Sequence, residues 1–410
     1  MKQILTERQR KLVGLAGELA DEFGQRAEAH DLDGSFPFEN YERMKQAGYL
    51  RVTVPEELGG LGATLPDLVL LQERLAQGCA ATALAVNMHV SPVGQLASLW
   101  RINHDSKLER WLRDIADGKV INSTVSAEPG APLLRHSNTK AVRVDGGYRI
   151  TGKKIFGTGS SIMTHMSTLA QFDGPKGSEI LMFRLSREEE GISILDTWHT
   201  LGMRATQSND IVLDNVFVSD DSIFHRYPVG TLDGRMLQTV WGWAMPTFGA
   251  TYLGVGAGAL QRAKIDIKRF NKHDDPRVQA LFGEMEILWE SAHATLMVVA
   301  QEVWSGELFR QMSVQEGMSR VTMSKYVAAN NAVAIVDKVM SVMGGGAYFL
   351  KSPYQRIYRD VRAALIQPWQ NPDVVEIAGK TALGIEYAPE VPIPEEHIER
   401  LLRIGGRLAA

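Results

Sequence analysis

The sequence predicts an α+β protein in three zones: a helical first domain, a strand-rich middle and a helical bundle at the end. Three observations carry this reading. Apolar residues step by three or four along Val278, Leu281, Met285, Leu288, Ala292, Leu296, Val299 and Val303, one stripe held over about seven turns. Between residues 120 and 220 the pattern shortens to the strand-like runs INSTV, KAVRV, GYRI, EILMF and IVLDNVFV. Before them, residues 5 to 117 read as helix, broken at Val54 to Gly62, where Pro55, Gly59, Gly60 and Gly62 stop any helix.

Taken in chain order, the first thirty residues form an amphipathic helix carrying Glu7, Arg8, Arg10, Glu18, Asp21 and Glu22, an acid load that a signal peptide would not have. In the middle zone, Asp145-Gly146 between KAVRV and GYRI predicts a hairpin. Asp173-Gly174 predicts a second turn, ahead of a strand from Glu179 to Phe183. Helix returns beyond about residue 235. Leu253, Ala257, Leu260, Ala263 and Ile267 make one stripe, and Ala328, Ala332, Ile335, Val339 and Val342 another. The second stripe ends at Gly344-Gly345-Gly346, which can supply a left-handed cap. Helices this long pack as a bundle. The segment Pro389 to Pro394 reads as an extended strap before a short last helix. These changes place domains at 1–119, 120–228 and 229–410.

The bulk properties exclude several functions. A net charge of -4 and a pI near 6.2 leave no basic footprint for nucleic acid or an anionic membrane. No apolar run approaches the roughly 18 residues of a membrane span. The single cysteine, Cys79, rules out an internal disulfide and fits a reducing cytoplasm; its small-residue setting AQGCAATALA reads as packing rather than a nucleophile. Ten histidines without metal-ligand spacing predict no metal site.

Four segments in order resemble the acyl-CoA dehydrogenase superfamily. They are Val54 to Gly62 (VPEELGGLG), Ser126 to Gly130 (SAEPG), Ile150 to Thr158 (ITGKKIFGT), and Leu201 to Thr206 with Ile211 to Val218 (LGMRAT…IVLDNVFV). Met343 to Gly346, Pro353 and Arg359-Asp360 resemble the glycine-rich and Arg-Asp stretch of the family's last domain. The resemblance spans nearly the whole chain. It implies a helical domain, a β-barrel-like middle domain and a C-terminal four-helix bundle, assembled as a tetramer and binding FAD, with FMN as the alternative. It also implies that Thr124, Ser126 and Ala127 border the flavin's pyrimidine side, that Phe156 covers the ring, and that Thr158 meets N5. Backbone and hydroxyl donors there suit a ring whose polar edge gathers negative charge on reduction. Gly344 and Gly345 would sit beneath the diphosphate or adenine of FAD in a neighbouring subunit. Arg269 is the candidate diphosphate clamp, in a loop KRFNKH that departs from the family's Arg-x-x-Phe-Gly.

The family's reaction needs a carboxylate to take a proton alpha to a thioester. Counting from Arg359-Asp360, that position is Pro368; the alternative position falls at Ala244. Neither titrates. Asp373 is the nearest replacement, with Glu376 beyond it, although Asn371-Pro372-Asp373 also reads as the start of a helix where an acid suits the dipole. A branch of the superfamily comprises two-component monooxygenases that take reduced flavin from a partner reductase, use O2 and lack that glutamate. His89 resembles the histidine some of them place on a first-domain helix, and Gln367 stands about where a second would be. Trp241, Trp243 and Trp369 predict an aromatic substrate cavity. At the loop position usually Gly-Ser-Asp the chain has Pro132-Leu133-Leu134, which points away from CoA, although Arg135 and His136 follow and could compensate. The sequence therefore predicts a flavin-dependent oxidoreductase acting on an acyl-type or aromatic small molecule. Two alternatives stand beside it: a two-component flavin monooxygenase, with a reductase or electron-transfer partner, and a non-catalytic scaffold.

Overall fold

The computed structural model describes residues 4–131 and 134–408; Pro132 and Leu133, compared above with Gly-Ser-Asp, lie outside the described residues. Six helices come first: α1 (Glu7–Gly24), α2 (Ala27–Asp33), α3 (Phe38–Gln46), α4 (Leu65–Ala76), α5 (Ala80–Asn103) and α6 (Ser106–Ala116). The break at Val54 to Gly62 is a pair of tight turns, with Gly59 and Gly62 at positive φ. Helices α1 and α4 each begin with a capping box, Thr6 with Gln9 and Thr64 with Asp67.

The middle zone holds β1 (Asn122–Thr124), β2 (Lys140–Val144), β3 (Gly147–Gly157), β4 (His165–Gly174), β5 (Gly177–Ser186), β6 (Ile192–Ile194), β7 (Asn209–Ser219) and β8 (Ile223–Pro228). The path is β6-β7-β3-β2-β4-β5-β8, with β1 added parallel to β4. Among the described residues β6 and β8 are the ends of this path. Asp145-Gly146 makes the predicted hairpin, pairing Val144 with Gly147. The second turn falls two residues later than expected: Asp173 and Gly174 still pair, with Ser178 and Gly177, and the loop is Pro175-Lys176. Val125, Ile150, Met166, Leu181, Phe183, Ile211 and Val216 fill this domain's core.

A short strand β9 (Leu232–Asp233), α7 (Gly234–Met236) and a π-turn (Leu237–Trp241) lead into the bundle. Its elements are α8 (Gly242–Arg269), α9 (Pro276–Ser305), α10 (Glu307–Gln311), α11 (Val314–Met343), α12 (Pro353–Val361), α13 (Ala363–Ile366) and α14 (Asn371–Ala382). Long helices α8, α9 and α11 pack on one another, and α14 lies against α11. The proline-rich strap contains β10 (Glu390–Val391), which pairs with β9 before the last helix α15 (Glu395–Leu408). The α8 stripe is wholly buried. In α9 the stripe is buried at Met285, Ala292, Leu296, Val299 and Val303, while Val278, Leu281 and Leu288 keep partial exposure. No described helix is long and apolar enough to cross a membrane.

Two contacts lock the zones together. Glu73 on α4 accepts from Trp289 Nε1 at 2.7 Å and pairs with His293 Nδ1 at 2.7 Å, both on α9. Arg359 on α12 holds the Asp31 carboxylate of α2 and donates to Leu201 O at 2.8 Å, while Asp360 accepts from Met203 N at 2.6 Å. Gly202 makes this approach feasible, because a Cβ there would lie 2.4 Å from the Arg359 carbonyl. The Arg-Asp pair thus seats the loop before β7 on the bundle.

Candidate active site

A cavity of about 410 Å³ opens where the three zones meet. Its walls come from α5, the loop after β1, the end of β3, the loop before β7, the start of α8 and the chain after α13. Most of its lining is apolar, with Phe156, Trp198, Trp241, Phe248 and Tyr252 supplying aromatic surface.

One wall fits an isoalloxazine. Thr124, Ser126, Ala127, Phe156 and Thr158, which the sequence resemblance places around a flavin, all line the cavity. Phe156 is half-exposed into this space at φ 55°, a conformation that bulky residues seldom adopt, and meets Trp198 edge-on at 5.9 Å. A broad apolar face bordered by backbone and hydroxyl groups is what a flat ring with one polar edge requires. The loop carrying Ser126 and Ala127 is fixed from behind. Glu128 pairs with the Lys154 ammonium and accepts from Ser137 Oγ at 2.7 Å and from the Asn138 amide, while Ile155 N donates to Ala127 O at 2.9 Å. Both charged side chains are essentially buried. Burial works against the Glu128 charge, but the ammonium and the Ser137 and Thr139 contacts hold its carboxyl below the usual range. Burial outweighs Glu128 at Lys154 and pulls that ammonium down to about 8.

Thr158, the first residue after β3, begins a line of hydroxyls. Its Oγ1 lies 2.8 Å from Ser208 Oγ, which lies 2.7 Å from Thr206 Oγ1, and Thr206 Oγ1 donates to Met203 O at 2.9 Å. Thr158 and Ser208 face the cavity; Thr206 is buried behind them.

The opposite wall contains both positions that would carry a base, Pro368 and Ala244. Gln367 beside them accepts a hydrogen bond from Tyr252 OH, which leaves its amide nitrogen to donate. Beneath this segment Lys325, fully buried on α11, donates to Ala364 O at 2.6 Å, Gln367 O at 2.9 Å and Trp369 O at 3.1 Å. Burial lowers its pKa to about 8. Among the described residues, no Asp, Glu, His, Cys or Lys lines the cavity. The undescribed positions, 1–3, 132–133 and 409–410, contain no carboxylate side chain either. The two arginines present are engaged: Arg359 as above, and Arg362 with Asp337 and over the Tyr358 ring at 4.0 Å.

Several expected site residues lie elsewhere. His89 is buried behind the wall rather than facing it. Its Nε2–H donates to Leu50 O at 2.8 Å and its Nδ1 accepts from Asn122 N at 3.1 Å, so both nitrogens are used. Burial drives its pKa to about 4, against the two backbone bonds, and keeps the ring neutral. Asp373 is exposed in the first turn of α14, where Gln370 rather than Asn371 is the N-cap, and it does not reach the cavity. Glu376 is paired with Lys380 at 2.9 Å. Trp243 turns away and fills the space left by Gly94, where a Cβ would come within 2.1 Å of its ring. Trp369 lies behind Trp241, edge-on at 5.9 Å, so Trp241 alone of the three lines the cavity. Arg269 is exposed, paired with Asp266 at 3.0 Å, and stacks over Phe270. Gly344 ends α11 at φ 64°, and Cβ atoms added at Gly344 or Gly345 would meet nothing within 4 Å. These three residues are outside the cavity of their own chain. Arg135 lies over the Tyr387 ring at 4.6 Å and donates to its hydroxyl at 3.3 Å.

The sequence reading missed Asn87, Ser91 and Gln95, which line the cavity from α5. Their spacing of four on an otherwise apolar helix was the available signal. Ser208 and Tyr252 were also missed.

Comparison with known proteins agrees with this architecture. The chain matches the acyl-CoA dehydrogenase N-terminal domain over residues 6–119, the middle domain over 126–216 and the C-terminal domain over 247–367. It is 31% identical to the putative acyl-CoA dehydrogenase YdbM of Bacillus subtilis (strain 168), covering 89% of this chain and 94% of the relative. It is 30% identical to the L-evernosamine nitrososynthase of a Micromonospora species, covering 93% and 92%. Among solved structures, KijD3 in complex with FMN and dTDP-3-amino-2,3,6-trideoxy-4-keto-3-methyl-D-glucose superposes with a TM-score of 0.84 at 26% identity, covering 96% of this chain and 97% of that one.

Proposed function

Because this chain belongs to the acyl-CoA dehydrogenase superfamily but carries no carboxylate in its cavity, we propose that it is a flavin-dependent monooxygenase rather than a thioester dehydrogenase. The single observation behind this reading is the placement of Pro368 and Ala244: both base positions are on the cavity wall, and both are inert. A nitrososynthase and the FMN-bound KijD3 among the similar proteins support a flavin that serves oxygenation. Reduced flavin, when bound, supplies the two electrons that activate O2.

The residues of the chain then bind, orient and exclude water. Thr124, Ser126 and Ala127 border the polar edge of the ring, Phe156 covers its face and Thr158 addresses N5. FMN and FAD share this slot; FAD would in addition use Arg269, Gly344 and Gly345 of a neighbouring copy in a tetramer. Trp241, Phe248 and Tyr252 give the substrate a dry aromatic wall, and Gln367 donates one hydrogen bond to it. A flat, largely apolar molecule with one acceptor group fits such a wall better than a linear acyl-CoA. Electrons come from a partner flavin reductase in the cytoplasm.

The test is anaerobic loading with chemically reduced FMN or FAD, followed by O2 and a panel of small aromatic and heteroaromatic compounds. The reading predicts an oxygenated product with one oxygen atom from 18O2. Flavin reoxidation that yields only hydrogen peroxide across the whole panel would count against it.

A further inference from the structure

We propose that Thr158, Ser208 and Thr206 form a reversible hydroxyl relay that lets one cavity hydroxyl act as acceptor or donor to match the redox state of bound flavin. This rests on the flavin reading above. The geometry permits two complete arrangements. In the first, Thr158 donates to Ser208, Ser208 to Thr206, and Thr206 to Met203 O; every proton is used and the lone pairs of Thr158 face the cavity. In the second, Thr206 donates to Ser208 and Ser208 to Thr158, freeing the Thr158 proton for the cavity. Met203 O is not orphaned by this reversal, because it still accepts from Trp198 Nε1 and Thr206 N, each at 3.0 Å.

The relay suits an atom that changes between bare nitrogen and N–H. Oxidised N5 has only a lone pair and needs a donor; reduced N5 carries a hydrogen and needs an acceptor. A lone threonine hydroxyl could serve both, but when accepting it would have to place its own proton. The remaining acceptor within the chain is Phe156 O at 3.4 Å, a poor one. Ser208 supplies the good acceptor, and Thr206 takes the Ser208 proton in turn. The first arrangement is therefore the resting one, and it favours the reduced ring. Ser208 and Thr206 are positioning residues that act through Thr158.

Titration of oxidised and dithionite-reduced FMN into the full-length protein, read by fluorescence and absorbance, tests the relay. Ser208→Ala should weaken reduced FMN about threefold to tenfold more than oxidised FMN, the worth of one neutral hydrogen bond. A tenfold change corresponds to a midpoint potential about 30 mV lower. Thr206→Val should shift the ratio the same way by forcing the second arrangement, and Ser208→Thr should restore it. Ser160→Ala, which removes a neighbouring hydroxyl bonded to Gln207 O at 2.8 Å outside the relay, should leave the ratio unchanged. Equal weakening of both redox forms by Ser208→Ala and Thr206→Val, or no change in either, overturns the relay. If unaltered protein binds neither FMN nor FAD, the flavin reading itself fails, a result distinct from a wrong ratio.

Discussion

Glu128→Gln should lower stability by about 3–5 kcal/mol and abolish most flavin binding, the penalty typical of breaking a buried ion pair from one side. The Lys154 ammonium would be left in a site with no solvent exposure and without its counter-charge, with only neutral acceptors, Leu169 O at 2.6 Å and the new amide oxygen. Asn138 and Ser137 would lose a charged acceptor at the same time. Those bonds hold the loop whose Ser126 and Ala127 face the cavity, so the ring site should loosen with the fold. The pH dependence has a definite sign. The folded pKa of Glu128 is depressed, so its contribution is present above the ordinary value of 4.5 and is lost as pH falls through the lower folded value. Urea melts at neutral pH would measure the loss. The double variant Glu128→Gln with Lys154→Met should be more stable than Glu128→Gln alone, because no unpaired charge remains.

Lys325→Met should cost activity at least a hundredfold while flavin binding stays close to normal. The ammonium satisfies three carbonyls at Ala364, Gln367 and Trp369, and no carboxylate is among its hydrogen-bond partners. Without it those oxygens are buried and unpaired, at about 1–3 kcal/mol each, so the segment must rearrange. Gln367 and Pro368 move with it, and a displacement near 1 Å is enough for a loss of that size. The flavin wall lies across the cavity on β3 and the loop after β1, which is why binding should survive. Equal loss of substrate turnover and flavin affinity would show that Lys325 supports the whole fold rather than one wall.

The fold was legible because its signals are local. The Asp145-Gly146 hairpin and the α8 stripe each follow from a handful of adjacent residues, as does the break at Val54 to Gly62. Ordered motifs made one side of the cavity legible: Thr124, Ser126, Ala127, Phe156 and Thr158, the residues proposed to hold the flavin, meet in space. What failed needed three-dimensional facing. His89 stands two residues from both Asn87 and Ser91, about 200° around the helix, so the spacing that turns those two to the cavity turns His89 behind it. Trp241 and Trp243 are two residues apart, about 200° around a helix, so both could not line one cavity. Spacing alone could have divided that pair. Asp373 is close to Pro368 in sequence, but the start of α14 carries it outward. Arg269, Gly344 and Gly345 lie outside the cavity of their own chain, and the expected place of the two glycines is against FAD in a neighbouring subunit.

That the cavity offers a wall to flavin, and no base among its described residues, is open to direct test. The most direct measurement is anaerobic: protein loaded with oxidised FAD or FMN is mixed with saturated acyl-CoA thioesters from short to aromatic, and flavin absorbance is followed. The account predicts an unbleached spectrum and no enoyl product with every thioester. Rapid bleaching with a stoichiometric enoyl thioester would contradict it.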